Sequence, residues 1–334
     1  MEHLLKELIT YYFNEAVEKI ESVPFGLTNY SQVLTVNNKK YVARIYDNHS
    51  KNLEKLKFEI ELTTFLEQHI NLSFKLPGFL IAKTGGRFVQ LSNGQLGSVM
   101  RFIEGEVPDL TRVSDVKEYG KTVGELSVAF KKFKSDLLME EFKFYKIYNL
   151  HQLSNERSVS RFFDQPPFEI ESNQLSILLH SLQAVQRNES IVDDLPKQIV
   201  HHDILIFNLL IDNQTRKMSG VLDFDFASYD VRALELAICM NHLLQFDDGS
   251  LSNLELFLDE YSQHMTLTDE EIKWIPFLMQ MYYVSLLCIY IGQYYSGREI
   301  EEYFRFILHQ LVIRKQWIEQ NEYEFIETLR SRLN

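Results

Sequence analysis

The chain has 334 residues, 45% hydrophobic content and a formal net charge of −13 at pH 7, values typical of a globular protein long enough for two domains. The acidic balance argues against a nucleic-acid partner, because phosphate backbones attract basic surfaces. Its two cysteines, Cys239 and Cys288, have neither the spacing of a zinc site nor that of a disulfide framework, which favours a reducing, cytoplasmic location.

The first hundred residues predict a small unit of mixed helix and antiparallel sheet. Asn37-Asn38 is a hairpin-turn signal between two β-forming runs. Apolar periodicity and turn-forming residues predict these elements in order: a helix over 3–20, strands over 33–36 and 41–46, a helix over 52–69, and strands over 77–81, 87–90 and 98–103.

The remainder of the chain predicts mainly helices. They cover residues 115–133, 172–187, 233–244 and most of 254–333, while 149–168 is poorly periodic and is interpreted as a connection that contributes to a substrate pocket. The uncharged stretch 275–297 is long enough to span a membrane. Its proline, glutamines and five tyrosines make it too polar for lipid, so it predicts a buried central helix and no membrane partner.

One segment carries the polar side chains that indicate chemistry. Asp203 and Asn208 lie five residues apart in a loop, and Asp223 ends an apolar run that follows the turn signal at 212–215. A strand, turn and strand here would bring Asn208 and Asp223 together beside Asp203. Their oxygens suit a hard divalent cation and leave one carboxylate to orient a substrate hydroxyl, which is the set that phosphoryl transfer requires. Asp225 is either a second metal ligand or a carboxylate of the acceptor site.

The spacing His-x-Asp-x-x-x-x-Asn over 201–208, followed by Leu-Asp-Phe at 222–224, resembles the catalytic and metal loops of the kinase fold. The flanking Leu195-Pro196 and the helix start at 234–239 are similar to those of the aminoglycoside phosphotransferase and choline kinase superfamily. Within that superfamily they are most similar to the homoserine kinase type. The resemblance covers about residues 23–241 and is strongest around 201–225.

The sequence departs from the family pattern at two places. His202 stands where the family usually has glycine, and the loop 204–207 is wholly apolar where relatives often carry a polar residue or proline. The first departure would narrow the approach of the loop backbone to substrate. The second removes candidate phosphate contacts.

The resemblance implies an α+β, bilobal protein-kinase-like fold. A small N-terminal lobe with an antiparallel sheet would comprise residues 1–103, and a larger, mainly helical C-terminal lobe would comprise residues 104–334. ATP and Mg²⁺ would bind in the cleft, and the γ-phosphoryl group would pass to a hydroxyl of a small molecule, with a homoserine-like amino alcohol as first choice.

The site residues follow from the motif and its resemblance. Asp203 would orient or deprotonate the acceptor, Asn208 and Asp223, with Asp225, would hold the metal, and Arg44 would bind phosphate oxygens through its planar fork. Glu59 is preferred over Glu61 as the partner of Arg44. The full set of predicted nucleotide contacts is Gly26, Asn29, Val42, Arg44, Glu59 and the backbone of Met100 and Phe102.

Several acceptors fit this reading of the sequence. An aminoglycoside, a sugar or a choline-type alcohol would serve the same chemistry, because fold does not fix substrate. For homoserine, Arg232 and Asp225 are candidate partners of its carboxylate and ammonium groups. A protein acceptor is disfavoured because no Ala-Pro-Glu element follows Asp223. A nucleotide-binding pseudokinase or scaffold is the alternative outside enzymes, and the presence of all three motif side chains argues against it.

Overall fold

A computed structural model of the chain describes residues 1–23, 29–47, 52–137, 142–246 and 251–334. Its elements in chain order are α1 (Glu2–Tyr12), β1 (Lys19–Ser22), β2 (Tyr30–Val36), β3 (Lys39–Ile45), α2 (Leu53–His69), β4 (Val89–Gln90), β5 (Leu96–Arg101), α3 (Val113–Lys132), α4 (Glu156–Asp164), α5 (Ser172–Asp193), β6 (Lys197–Val200), a 3-10 turn (Ile206–Asn208), β7 (Leu209–Ile211), β8 (Met218–Val221), β9 (Ser228–Val231), α6 (Ala233–Leu243), α7 (Ser252–Tyr261), α8 (Asp269–Tyr295) and α9 (Glu301–Leu333).

The chain divides into two compact units, neither of which is continuous in sequence. The first unit comprises residues 1–108, 133–137 and 206–226, and the second comprises 109–132, 138–205 and 227–334. The sequence predicts a single boundary after residue 103. In the structure the hairpin of β7 and β8 belongs to the first unit, although the chain on both sides of residues 206–226 belongs to the second.

The first unit contains a five-stranded antiparallel sheet in the order β1-β2-β3-β5-β4. The β2–β3 hairpin turns at Asn37 and Asn38, whose φ values of 50° and 58° are the left-handed pair that a two-residue hairpin turn needs. Ala43 and Ile45 pack against the apolar side of α1, while Tyr46 packs with Leu56 of α2. Because strand residues alternate between faces, Arg44 lies on the α2 side of the sheet.

The β7–β8 hairpin is built from local and long-range backbone pairs. The Asp212 side chain accepts hydrogen bonds from the backbone N–H groups of Gln214 and Thr215, at 3.1 and 2.7 Å, and thereby forms the predicted turn. Bridges from Lys75 to Gly220 and from Glu106 to Ile211 attach the hairpin to the rest of the first unit. These bridges explain why the hairpin belongs to that unit.

The second unit is mainly helical, with one short antiparallel pair of β6 and β9. Helix α8 is long and apolar enough to cross a membrane, but 78% of its most apolar stretch is buried inside the protein. It is the buried helix that the sequence predicted. It begins at a capping box in which Thr268 and Glu271 satisfy each other's backbone N–H groups.

The structure differs from the secondary structure predicted from the sequence at several places. The first helix ends at Tyr12 rather than near residue 20, and residues Lys19–Ser22 instead pair with β2 as an edge strand. The stretch 149–168 contains helix α4, which starts at a capping box of Asn155 and Ser158. Strands β6 and β9 were also missed. Their partners are about 30 residues apart in the chain, so no local pattern marks them.

Candidate active site

Arg44 lies between two carboxylates in the first unit. Its Nη1 donates a hydrogen bond to Asp223 Oδ1 at 3.3 Å and lies 3.6 Å from Asp225 Oδ1. Only 14% of the Arg44 side chain is exposed. Burial alone would lower the pKa of Arg44, but the charges of Asp223 and Asp225, with a smaller contribution from Glu59, raise it above its ordinary value. Arg44 therefore stays charged and neutralises part of this acidic pair.

The two aspartates are held in place by backbone geometry and by Asn29. The N–H of Leu222 donates to the Asn208 carbonyl at 2.8 Å, so the hairpin brings Asn208 next to the start of the acidic segment. Asp223 has a φ of 63°, a left-handed conformation that few residues other than glycine adopt without strain. Asn29 Nδ2 donates to Asp225 Oδ2 at 2.6 Å, while Asn29 Oδ1 accepts from the backbone N–H of Asp47 at 3.2 Å. Asn29 thus fixes the Asp225 carboxylate.

The oxygen ligands near Arg44 suit a metal ion that is bound by the protein and by the phosphates of a nucleotide together. Across the residues that the structure describes, no group of three or more His, Cys, Asp or Glu side chains is arranged to hold a metal by itself. Asp223 is 33% exposed and Asp225 only 12% exposed, and the amide of Asn208 is partly buried. Two carboxylates and an amide offer oxygen ligands only. Mg²⁺ is commonly bound by one or two carboxylates together with substrate phosphates, and this donor set fits that mode.

The two candidate partners of Arg44 on helix α2 have different surroundings. Glu59 is 1% exposed, and it is close enough for its charge to contribute to raising the pKa of both Arg44 and Tyr46. Burial, followed by the charge of Glu59, raises the pKa of Tyr46 well above its ordinary value. Glu61 instead accepts a hydrogen bond from the Ser135 hydroxyl at 2.8 Å. Of the two acids, the structure thus brings Glu59 close to Arg44.

The other predicted nucleotide contacts lie on β3 and β5 or just beyond them. Val42 pairs in register with Met100, and both pack into the cluster around Tyr46. Phe102 follows β5, is partly buried and has Lys40 Nζ at 5.1 Å from its ring centroid. Gly26 lies outside the described residues. The roles of these residues in binding a nucleotide stay predictions.

In the second unit, the loop that carries Asp203 is braced through its backbone. The N–H of Asp203 donates to His201 Nδ1 at 3.3 Å, and the N–H of His201 donates to Glu235 Oε2 at 2.5 Å. The Tyr119 hydroxyl donates to the Ile204 carbonyl at 2.6 Å. These contacts give Glu235 a structural role and hold a partly exposed Asp203 in a fixed position.

His202 adopts a glycine-like backbone conformation. Its φ is 66°, which for a residue with a Cβ costs on the order of 1 kcal/mol or more. The ring is 1% exposed, stacks on Phe144 at 4.4 Å with an 8° interplanar angle, and has Nε2 at 3.0 Å from Asp230 Oδ2. The stack and this contact offset the strain. The sequence predicts that His202 narrows the approach of the loop backbone to substrate, but its ring lies in the protein interior.

Sequence reasoning missed three residues around this loop. Asp230 is fully buried and also accepts the Phe144 N–H at 2.7 Å; it lies on β9, which no local pattern marks. Burial, and then the charge of Asp203, raises the pKa of Tyr282 well above its ordinary value and that of Tyr290 to about 12. Two phenols on one face of α8 therefore lie near Asp203. Their spacing of eight residues was the available signal.

Arg232, a candidate partner for an acceptor carboxylate, has a different role. Its Nε and Nη2 donate to the two carboxylate oxygens of Glu271 at 2.6 and 2.8 Å. This bidentate pair ties the start of α6 to the first turn of α8. Arg232 is thus engaged in a structural ion pair.

We predict that Glu235 makes folding stability pH-dependent. Burial raises its pKa to about 7, against the lowering effect of the His201 N–H. Because the folded pKa exceeds the unfolded value, the stabilisation is complete below about pH 4.5 and is lost as the pH rises through 7. Relative to Glu235→Gln, which keeps the hydrogen-bond acceptor, the natural chain should lose up to about 3 kcal/mol of unfolding free energy between pH 5 and 8.

Denaturant unfolding at several pH values measures this difference. Glu302→Gln, at an exposed position on α9, is the control and should run parallel to the natural chain. A constant difference between Glu235→Gln and the natural chain across this range would contradict the assignment.

Comparison with known proteins assigns the chain to a family. Residues 19–266 match the sequence model of a phosphotransferase enzyme family. The homoserine kinase of Methylobacillus flagellatus is 23% identical over 312 residues, which cover 89% of each chain.

Two solved structures share the fold. A microcompartment-associated aminopropanol kinase aligns with a TM-score of 0.74 at 13% identity, covering 97% of this chain and 98% of that one. An amicoumacin kinase in complex with AMP-PNP and Ca²⁺ aligns with a TM-score of 0.70 at 15% identity, covering 96% and 93%. These likenesses confirm the predicted α+β, kinase-like fold. The chain therefore belongs to the phosphotransferase enzyme family, and it is a small-molecule kinase.

Proposed function

We propose that the chain transfers the γ-phosphoryl group of Mg-ATP to the hydroxyl of a small amino alcohol, with homoserine as the first candidate. The observation that carries this proposal is the cluster in which Arg44 lies 3.3 and 3.6 Å from the carboxylates of Asp223 and Asp225. A fixed cation beside oxygen ligands for a divalent metal is what binding of nucleotide phosphates requires. A cytoplasmic location, where ATP is plentiful, fits this activity.

Each residue of the cluster has a part in this proposal. Arg44 binds phosphate oxygens, and Asp223 and Asn208 hold Mg²⁺, which neutralises phosphate charge when bound. Asp225 is fixed by Asn29 and also faces Arg44. We therefore assign it to orienting Arg44 and completing the metal site rather than to the acceptor. Glu59 supports Arg44 from helix α2.

Asp203 is proposed to orient the acceptor hydroxyl and accept its proton. Its carboxylate is carried on a loop whose backbone is held by Glu235 and Tyr119, and such pre-organisation is what a positioned base needs. The phenol groups of Tyr282 and Tyr290 lie near this negative charge. Rings and a carboxylate together favour an acceptor with an ammonium group. The homoserine kinase relative supports the first choice of acceptor.

We predict that Asp203→Asn lowers turnover by about a hundredfold or more while AMP-PNP binds with nearly unchanged affinity, because the carboxylate acts on the acceptor. Asp223→Asn should lower both turnover and the Mg²⁺-dependent affinity for AMP-PNP. Calorimetric titration and an ADP-release assay measure these quantities. Asp194→Asn, at an exposed position, is the control. If Asp203→Asn lost as much AMP-PNP affinity as Asp223→Asn, Asp203 would not have the proposed role.

An acceptor screen tests the substrate class separately. We expect ADP release to be most efficient with homoserine, ahead of ethanolamine, choline, hexosamines and aminoglycosides, because Asp203 with two nearby phenols offers contacts for an ammonium group and the homoserine kinase relative covers 89% of this chain. Robust turnover with another alcohol and none with homoserine would refute the acceptor assignment. The kinase assignment would be unaffected by that outcome.

A further inference from the structure

A cavity in the first unit lies away from the Arg44 cluster. The cavity opens beside helix α2 and has a volume of about 500 Å³. This volume is within the range of sites that hold small organic molecules. Ile60, Thr64 and Gln68 line it at helical spacing. At 100° per residue, Glu59 points from nearly the opposite side of the helix. One face of α2 thus meets the cavity while the other meets the neighbourhood of Arg44.

The apolar wall of the cavity is built by long-range aromatic packing. Phe133 packs edge-on against Phe58 at 5.9 Å and against Phe65 at 5.3 Å, and Phe88 lines the same space. The segment that carries Phe133 is held to α2 by the hydrogen bond from Ser135 to Glu61. The wall is therefore an ordered part of the unit.

The rim of the cavity is positively charged. Lys57, Arg87 and Lys134 line it, against the single carboxylate of Glu61. Lys57 also pairs with Glu54 at 3.2 Å, so these three cations and two carboxylates give a local charge of +1, in a chain whose net charge is −13. Arg87 Nη1 donates to the Phe79 carbonyl at 2.7 Å, so this cation is fixed in place. Apolar walls under a basic rim select a molecule with an apolar body and an anionic end.

We propose that this cavity binds a small organic anion with an aromatic body, such as an aromatic carboxylate, at a site separate from the nucleotide site. Helix α2 carries cavity residues on one face and Glu59 on the other. Because a helix moves largely as a rigid element, a molecule bound in the cavity shifts the position of Glu59 and hence the position of Arg44. The site therefore modulates nucleotide affinity. Binding itself does not depend on the proposed phosphoryl transfer.

Two fluorescent probes test the site directly. 1-Anilinonaphthalene-8-sulfonate is an aromatic anion, and N-phenyl-1-naphthylamine has nearly the same rings without the sulfonate. In the presence of saturating AMP-PNP and Mg²⁺, we expect the anionic probe to bind about tenfold more tightly than the neutral one. Equal affinities would overturn the inference that the site selects anions.

Two sets of variants locate the probe in the cavity. Thr64→Trp fills the space and should weaken binding of both probes by about tenfold or more. The double variant Lys57→Ala/Lys134→Ala should weaken only the anionic probe, by about fivefold. Lys39→Ala/Lys273→Ala is the matched control. Lys273, like Lys57, is an exposed helical residue that pairs with a glutamate three positions earlier in its helix. Unchanged affinities in both Thr64→Trp and the Lys57/Lys134 variant would overturn the site.

The coupling has its own measurement. We expect the saturating anionic probe to change the AMP-PNP affinity of the natural chain by about fivefold, and to change that of Thr64→Trp little. A nucleotide affinity that is independent of the probe in the natural chain would overturn the coupling. The probe titrations would still decide the existence of the site.

Discussion

One guanidinium between two carboxylates is the interaction on which the candidate site depends. Asp223 and Asp225 are two residues apart and repel each other, and Arg44 on β3 lies within 4 Å of both. The contact joins the sheet to the segment that follows β8. It therefore both balances the charges of the two carboxylates and links two parts of the first unit. Removing one partner from a largely buried pair typically costs about 3–5 kcal/mol, since the remaining charge is left without compensation.

Asp203 is positioned by a different physical means. Its loop is fixed through backbone hydrogen bonds to His201, Glu235 and Tyr119, and through the buried His202, which adopts a positive φ. The strain at His202 is offset by its stack on Phe144 and its contact with Asp230. Charged groups thus organise the Arg44 cluster in the first unit, while backbone contacts organise the Asp203 loop in the second unit.

Local signals in the sequence predicted those parts of the fold that local physics determines. The Asn37-Asn38 turn, the Asp212 turn and the buried helix α8 were all recognisable, because turn chemistry and periodicity are properties of neighbouring residues. The pairing of β6 with β9, the attachment of the hairpin to the first unit and the Asn29–Asp225 hydrogen bond depend on residues distant in sequence, and no local pattern encodes them. Helix α4 was missed because its capping box lies in a short segment flanked by irregular chain. The motif residues Asp203, Asn208 and Asp223 could be singled out because their spacing is local.

The direct test of the Arg44 cluster is thermal unfolding of Arg44→Met with and without millimolar Mg²⁺, in the absence of nucleotide. Our account predicts that Arg44→Met unfolds at a lower temperature than the natural chain, and that Mg²⁺ raises the Tm of the variant more than that of the natural chain, because a divalent cation supplies the missing positive charge between Asp223 and Asp225. Arg44→Met/Asp225→Asn, which also removes the repulsion, should regain stability and lose the extra response to Mg²⁺. An unchanged Tm in Arg44→Met, with the same Mg²⁺ response as the natural chain, would contradict the central role of this cluster.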